Sequence, residues 1–185
     1  LCSSELFKVD LSGNLAAWAP KKMYTNLDFS PDGNFILISF IQRPFSYLVP
    51  YDRFPFKTLI YKNTGEPLRA INQVPLIEEL PKGFYTAVRT GKRKMSWRED
   101  KPSTIFWVEA KDKGDPEQKV MYRDEVYQLE YPFTGHPISL LKLKNRFNNI
   151  IWGNDEIAIA YDFWFTNRNT KTYIFNPSEP SQEVK

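Results

Sequence analysis

Tyr24 to Phe29 (YTNLDF), the tetrapeptide Ser30-Pro31-Asp32-Gly33 and Asn34 to Ile41 (NFILISFI) read as strand, turn and strand. Pro31 presets φ, Asp32 can bond its own backbone, and Gly33 accepts positive φ. The second segment is strongly apolar, so the three pieces predict a β-hairpin.

The same grammar extends in both directions. Upstream, Glu5 to Leu11 alternates, turns at Ser12-Gly13-Asn14 and resumes over Leu15 to Trp18. Downstream, Lys57 to Lys62 and Leu68 to Ile71 flank Asn63-Thr64-Gly65-Glu66. Lys94 to Arg98 precedes Thr104 to Ala110, and Glu125 to Glu130 precedes a Thr134-Gly135 turn and Ile138 to Lys142. A last round runs through Phe147 to Trp152, Glu156 to Asp162 and Lys171 to Asn176. The only helical expectation is a single turn around Leu76 to Leu80, bracketed by Pro75 and Pro81.

The repeated unit is two hairpins, with equivalent turn entrances near Phe29, Trp97 and Trp152. That spacing exceeds the roughly 40 to 50 residues of a bare four-stranded propeller blade. The units therefore read as blades carrying insertions, at 43–56 and 74–93. Pro44, Pro50, Pro55, Pro75 and Pro81 fall inside these insertions, where proline's missing N–H would break a central ladder. The expectation is an all-β partial β-propeller of about three to four antiparallel four-stranded blades whose ring is not closed. Residues 1–22 would end one blade, 23–73 and 84–144 would form two more, and 145–185 an incomplete one. An antiparallel sandwich is the competing architecture, since short strands at regular spacing suit both.

Composition agrees with strands. Aromatic residues make up 16% of the chain and hydrophobic residues 42%, enough apolar material for a core without staples. The net charge of +3, from 25 basic and 22 acidic residues, is too small to build the field of a dedicated nucleic-acid binder. Cys2 is the only cysteine, so no disulfide framework or thiolate metal site forms within the chain. No run approaches the roughly 18 apolar residues of a membrane span, so no membrane partner is expected. The start at Leu1, directly in strand-like sequence, points to a piece of a longer polypeptide.

Taken in order, FSPDG, RPFSYLVPYDRFP, VRTGKRKMSWRED, VEAKDKGDPE, YRDEVYQLEYPFTG and RFNNIIWGND resemble the propeller half of glutamyl-endopeptidase-like members of the prolyl oligopeptidase family. The resemblance covers roughly Tyr24 to Pro177. FSPDG occurs in many propellers; the long loop RPFSYLVPYDRFP and the pair VRTG with SWR carry most of the specificity, because the blade fold does not dictate them. The resemblance implies a non-catalytic cap over an α/β-hydrolase domain that lies elsewhere on the polypeptide and holds the Ser, Asp and His triad. It implies peptide substrates, cleaved after acidic residues, and a secreted or periplasmic compartment. A chain of open blades is also expected to self-associate through its uncovered edges. A stand-alone propeller-like interaction module is the alternative.

Candidate chemistry is sparse. No G-x-S-x-G nucleophile elbow occurs, and His136, the only histidine, sits in the turn Thr134-Gly135-His136-Pro137. No catalytic residue is assigned. Asp112, Asp115 and Glu117 miss the spacing of a cation loop and are interleaved with lysines, so they read as a solvated hairpin and no metal or other cofactor is expected. Glu78-Glu79 and Glu99-Asp100 are neighbours that would point to opposite faces. The arginines Arg43, Arg53, Arg89, Arg93 and Arg98 are the candidate site residues, because a guanidinium fork matches a carboxylate. Substrate selection, docking to the hydrolase domain and a solvated face with local ion pairs all fit them. Polyanion binding through the same set is a third class. Tyr161 to Phe165 (YDFWF) reads as packing rather than as a binding patch.

Overall fold

Twelve strands and one 3-10 turn, at Tyr51–Arg53, make up the regular structure of the computed structural model, which describes residues 2–83 and 85–180. No α-helix occurs among the described residues. The chain divides into two units, Leu1–Glu78 and Glu79–Lys185.

The first unit holds one five-stranded antiparallel sheet in sequence order: β1 (Ser4–Val9), β2 (Leu15–Phe29), β3 (Phe35–Ile41), β4 (Phe56–Lys62) and β5 (Pro67–Val74). The decisive turn forms as its residues require. Ser30 accepts the Gly33 N–H on its carbonyl at 2.8 Å, and the Ser30 hydroxyl donates to Asp32 at 2.6 Å. Gly33 takes φ +69°, a left-handed conformation that glycine adopts at no steric cost. From that turn β3 and β4 pair without a slip, from Phe35 opposite Lys62 to Ile41 opposite Phe56. Ile36, Ile38, Phe40 and Tyr61 form a core on one face of this sheet, because alternate strand residues share a side.

The second unit holds two sheets. β6 (Arg93–Trp97), β7 (Thr104–Ala110), β8 (Asp124–Glu130) and β9 (Ile138–Leu143) form a four-stranded meander, and β10 (Arg146–Asn154), β11 (Ile157–Trp164) and β12 (Asn169–Phe175) a three-stranded one. All pairings are antiparallel. A single apolar cluster draws on both sheets: Phe106, Val108, Val126 and Leu141 from one, Trp152, Ala160 and Phe175 from the other. Trp152 meets Phe106 edge-on at 5.2 Å, a favoured aromatic geometry.

The expected all-β class and the hairpin positions hold, and none of the sheets closes on itself. The uniform count of four strands does not hold: the sheets have five, four and three. One cause is β2, whose 15 residues run unbroken across positions 22 and 23. Its first half pairs with β1 and its second half with β3. The helical turn expected around Leu76 to Leu80 is also corrected. That segment has no regular structure, and the Ile77 N–H donates to the Arg53 carbonyl at 3.0 Å, holding it against the first insertion. The helical turn forms instead at Tyr51–Arg53, within that insertion.

Candidate functional site

Strand register in the first unit assembles a cluster of cations. Tyr24 lies opposite Phe40, and Phe40 lies opposite Lys57, so these three side chains share one face of the sheet. Lys22, two residues before Tyr24 on β2, falls on the same face. Its ammonium sits over the Phe40 ring, 3.9 Å from the centroid. The apolar row Ile36, Ile38, Phe40 thus gives way to positive charge at the end of β3.

Beyond β3 the chain enters the first insertion, whose neck is closed by the Gln42 N–H donating to the Pro55 carbonyl at 2.7 Å. Phe45 returns to stack on Phe54 at 5.5 Å, and the Arg43 guanidinium lies over Phe45 at 5.0 Å. The result is an open cleft of about 750 Å³ lined by Lys21, Lys22, Arg43 and Lys57, with Phe40, Phe45 and Leu59 among its apolar residues. That volume lies in the range of ordinary ligand sites.

Among the described residues no carboxylate pairs with any of these four cations. Burial holds the Lys22 ammonium below the usual lysine range, and the like charge of Lys57 pushes it further down. The cleft is therefore a concentrated positive field that the protein itself leaves unneutralised.

The five candidate arginines occupy different environments. Arg43 lines the cleft. Arg53 belongs to the 3-10 turn and supports the insertion through its carbonyl. Arg89, Arg93 and Arg98 belong to the second unit, where they are directed inward. Arg89 donates to the carbonyls of Thr90 and Lys92. Burial and then the nearby Arg93 charge lower its pKa to about 10. Arg93 donates to Asp124 at 2.7 Å. Arg98, only 1% exposed, forks onto Asp100, donates to Gln128 and lies 4.4 Å over Trp152.

A buried polar network that the sequence reading missed lies beside these arginines. Asp112, read as part of a solvated hairpin, is completely buried. It accepts two bonds from Arg146, one from Arg123 at 2.9 Å and the Gly114 N–H at 3.0 Å. Asp124, also fully buried, accepts from Arg93, Arg146 and the Phe147 N–H. Asp162 binds the Asn145 N–H, its side-chain amide and the Tyr173 hydroxyl. Burial, reinforced by the bond to Asp162, raises the Tyr173 phenol well above its ordinary range. One sequence signal was available: Asp124 alternates in phase with Val126, and Asp162 with Ala158 and Ala160, so both aspartates fall on core-facing positions.

On the other face of β8, Glu125 accepts bonds from Lys111, Ser139 and Tyr127. His136 is exposed in its turn. Among the described residues no cluster of histidine, cysteine and carboxylates could hold a metal ion, and no helix is long and apolar enough to cross a membrane.

No family model matches the chain. Two curated proteins do. The chain is 37% identical over 179 residues, 96% of its length, to a protein described as a probable chloroplastic glutamyl endopeptidase from Oryza sativa subsp. japonica. It is 38% identical over 177 residues to the protein of the same description from Arabidopsis thaliana. It spans 19% and 18% of those proteins, so it is homologous to a short segment of each and less than a fifth of their length.

Proposed function

We propose that this chain is a non-catalytic β-propeller segment of a glutamyl-endopeptidase-like serine peptidase of the prolyl oligopeptidase family, where it restricts and selects the peptides that reach the active site. The observation that carries this reading is the 37% identity that persists over 96% of the chain. At that level the all-β architecture and its loops are inherited together.

The sheet topology supports the same reading. β2 to β5, β6 to β9 and β10 to β12 are successive up-and-down meanders with neighbouring strands in sequence order, the connectivity of propeller blades. On this reading the blades correspond to residues 23–73, 84–144 and 145–185. The partners are peptide substrates and an α/β-hydrolase domain elsewhere on the polypeptide. The sequence holds no G-x-S-x-G elbow, and on this reading chemistry belongs to that domain, while the blades act by exclusion and orientation.

Peptides containing Glu–Xaa bonds test the proposal. The protein translated from the whole reading frame should cleave them, with a G-x-S-x-G serine whose replacement abolishes turnover, while the 185-residue chain alone should not. Turnover by the chain alone, or a reading frame without a nucleophile elbow, would refute it.

A further inference from the structure

Strand register sets Lys22 and Lys57 on either side of Phe40, on one face of the first sheet. Phe40 lies opposite Lys57 on β4, and the Lys22 ammonium reaches over the Phe40 ring from β2. Both lysines are half-buried. Burial first, and then the like charge of Lys57, lower the Lys22 ammonium from its ordinary range, so the two charges act on each other. Arg43, two residues past the end of β3, brings a third cation to the same open cleft. Lys21 borders the cleft, but strand alternation turns its side chain to the face opposite that of Lys22. No described carboxylate pairs with Lys22, Arg43 or Lys57. Like charges held together without a partner oppose folding, and a low-dielectric wall behind them focuses their field on whatever enters.

We infer that this cleft binds a small organic phosphate monoester, its phosphate among Lys22, Arg43 and Lys57 and its organic body over Phe45 and Leu59. Charge carries the choice of head group. A phosphate monoester holds nearly two negative charges at neutral pH and three acceptor oxygens, one for each cation, whereas a carboxylate or a sulfate ester brings a single charge. Arg43 offers the planar fork that meets two phosphate oxygens at once, and the lysines add compact point charges. Size carries the choice of a body. The cleft of about 750 Å³ far exceeds one inorganic phosphate and suits a small molecule. Its apolar lining, Phe45 and Leu59 included, would be wasted on a bare ion. A nucleic-acid strand fits less well, because it needs a basic groove that tracks its backbone and aromatic faces for its bases. The three cations converge on one space instead, and the Phe45 ring already has Phe54 stacked on it and Arg43 above it.

This inference stands apart from the peptidase reading: the ligand is no peptide and no bond is broken, so its fate does not depend on whether peptides are cleaved. Isothermal titration calorimetry of the purified full chain tests it with phenyl phosphate, phenyl sulfate and inorganic phosphate. Phenyl phosphate should bind about tenfold more tightly than phenyl sulfate, which has the same shape and one charge less, and about tenfold more tightly than inorganic phosphate, which lacks the body. Arg43→Gln and Lys57→Gln should each weaken phenyl phosphate about tenfold, the loss of one charge-assisted bond. Lys142→Gln, which removes the same charge from an exposed position of the second unit, should leave binding as it is. Arg43 is exposed, so its variant keeps the test decisive should Lys57→Gln fail to fold. No binding of phenyl phosphate, equal binding of phenyl sulfate or of inorganic phosphate, or an Arg43→Gln variant that binds like the parent would overturn the assignment.

Discussion

Arg146 clasps Asp112 with both guanidinium nitrogens, Nη1 at 2.8 Å from Oδ1 and Nη2 at 2.7 Å from Oδ2. The same arginine donates to Asp124 at 3.0 Å and, through Nε, to the Thr86 carbonyl at 2.7 Å. One side chain at the start of β10 thereby fixes the hairpin after β7, the start of β8 and the loop before β6. Both aspartates are fully buried, and removing the arginine takes from each its shared donor, leaving Asp112 with Arg123 and Asp124 with Arg93 as their remaining cations.

Arg146→Met is therefore expected to cost about 3 to 5 kcal/mol, the range for breaking a buried ion pair by removing one partner. Equilibrium urea unfolding measures it. Replacing Asp112, Asp124 and Arg146 together by apolar residues should cost more than Arg146→Met alone, because Arg93 and Arg123 then lose their carboxylates as well. A single variant as stable as the parent would contradict the network's role.

Glu125 gives a prediction in pH. Burial pushes its carboxyl upward, but the bonds from Lys111, Ser139 and Tyr127 outweigh this and leave it below the usual glutamate range. A carboxylate whose folded pKa lies below its unfolded value of about 4.3 adds stability above that unfolded value and loses it as pH falls through the folded one. Lys111→Met removes the strongest of the lowering bonds and should raise the folded pKa of Glu125, so that this group stabilises the variant less at neutral pH and the variant loses less of that stability in acid. Melting temperatures recorded from pH 7 down to pH 3 check it: the variant should start lower at pH 7, fall less as the unfolded pKa is passed, and level off at a higher pH than the parent. Coincident acid limbs would refute it.

How much of this was legible in sequence varies by feature. Hairpins were, because their determinants are local: Ser30-Pro31-Asp32-Gly33 carries its turn chemistry in four residues, and the strand after it is a near-continuous apolar run. The helical turn was misplaced because Leu76 to Leu80 is decided by a non-local bond, from Ile77 to Arg53. The cleft was half legible. Arg43 stood out in a loop, but Lys22 and Lys57 acquire meaning only through the register that aligns β2, β3 and β4. Asp112 was misread because its partner Arg146 lies 34 residues on, and charge alone suggested solvent.

Two glycines with the same backbone hand separate conformational cost from steric cost. At Gly13, φ +86°, an added Cβ would meet nothing within 4 Å, whereas at Gly114, φ +81°, it would stand 1.8 Å from the Val88 carbonyl oxygen. Gly13→Ala should cost about 1 to 2 kcal/mol, the left-handed penalty alone. Gly114→Ala adds a clash with backbone that cannot yield without breaking the bond from the Val88 N–H to the Gly114 carbonyl. It should cost at least twice as much and raise hydrogen exchange at Val88, both read on the same purified variants. Equal destabilisation at the two sites would count against the close approach.

Arg98 separates a structural arginine from a recognition arginine. Its planar group lies 4.4 Å over Trp152 while forking onto Asp100, whose side chain is only 3% exposed. Lysine keeps the charge but cannot stack flat or donate two parallel bonds to one carboxylate. Arg98→Lys is expected to lose about 2 kcal/mol of stability, within the range for bonds to charged groups. Arg98→Met should lose more, since it leaves Asp100 without its cation. Urea unfolding of the two variants beside Arg43→Gln gives the contrast. Arg43 is exposed and unpaired by any described carboxylate, so its loss should change stability by less than about 0.5 kcal/mol, as surface substitutions usually do. If instead Arg98→Lys left stability untouched and Arg43→Gln lowered it, the division of these arginines between packing and recognition would be reversed.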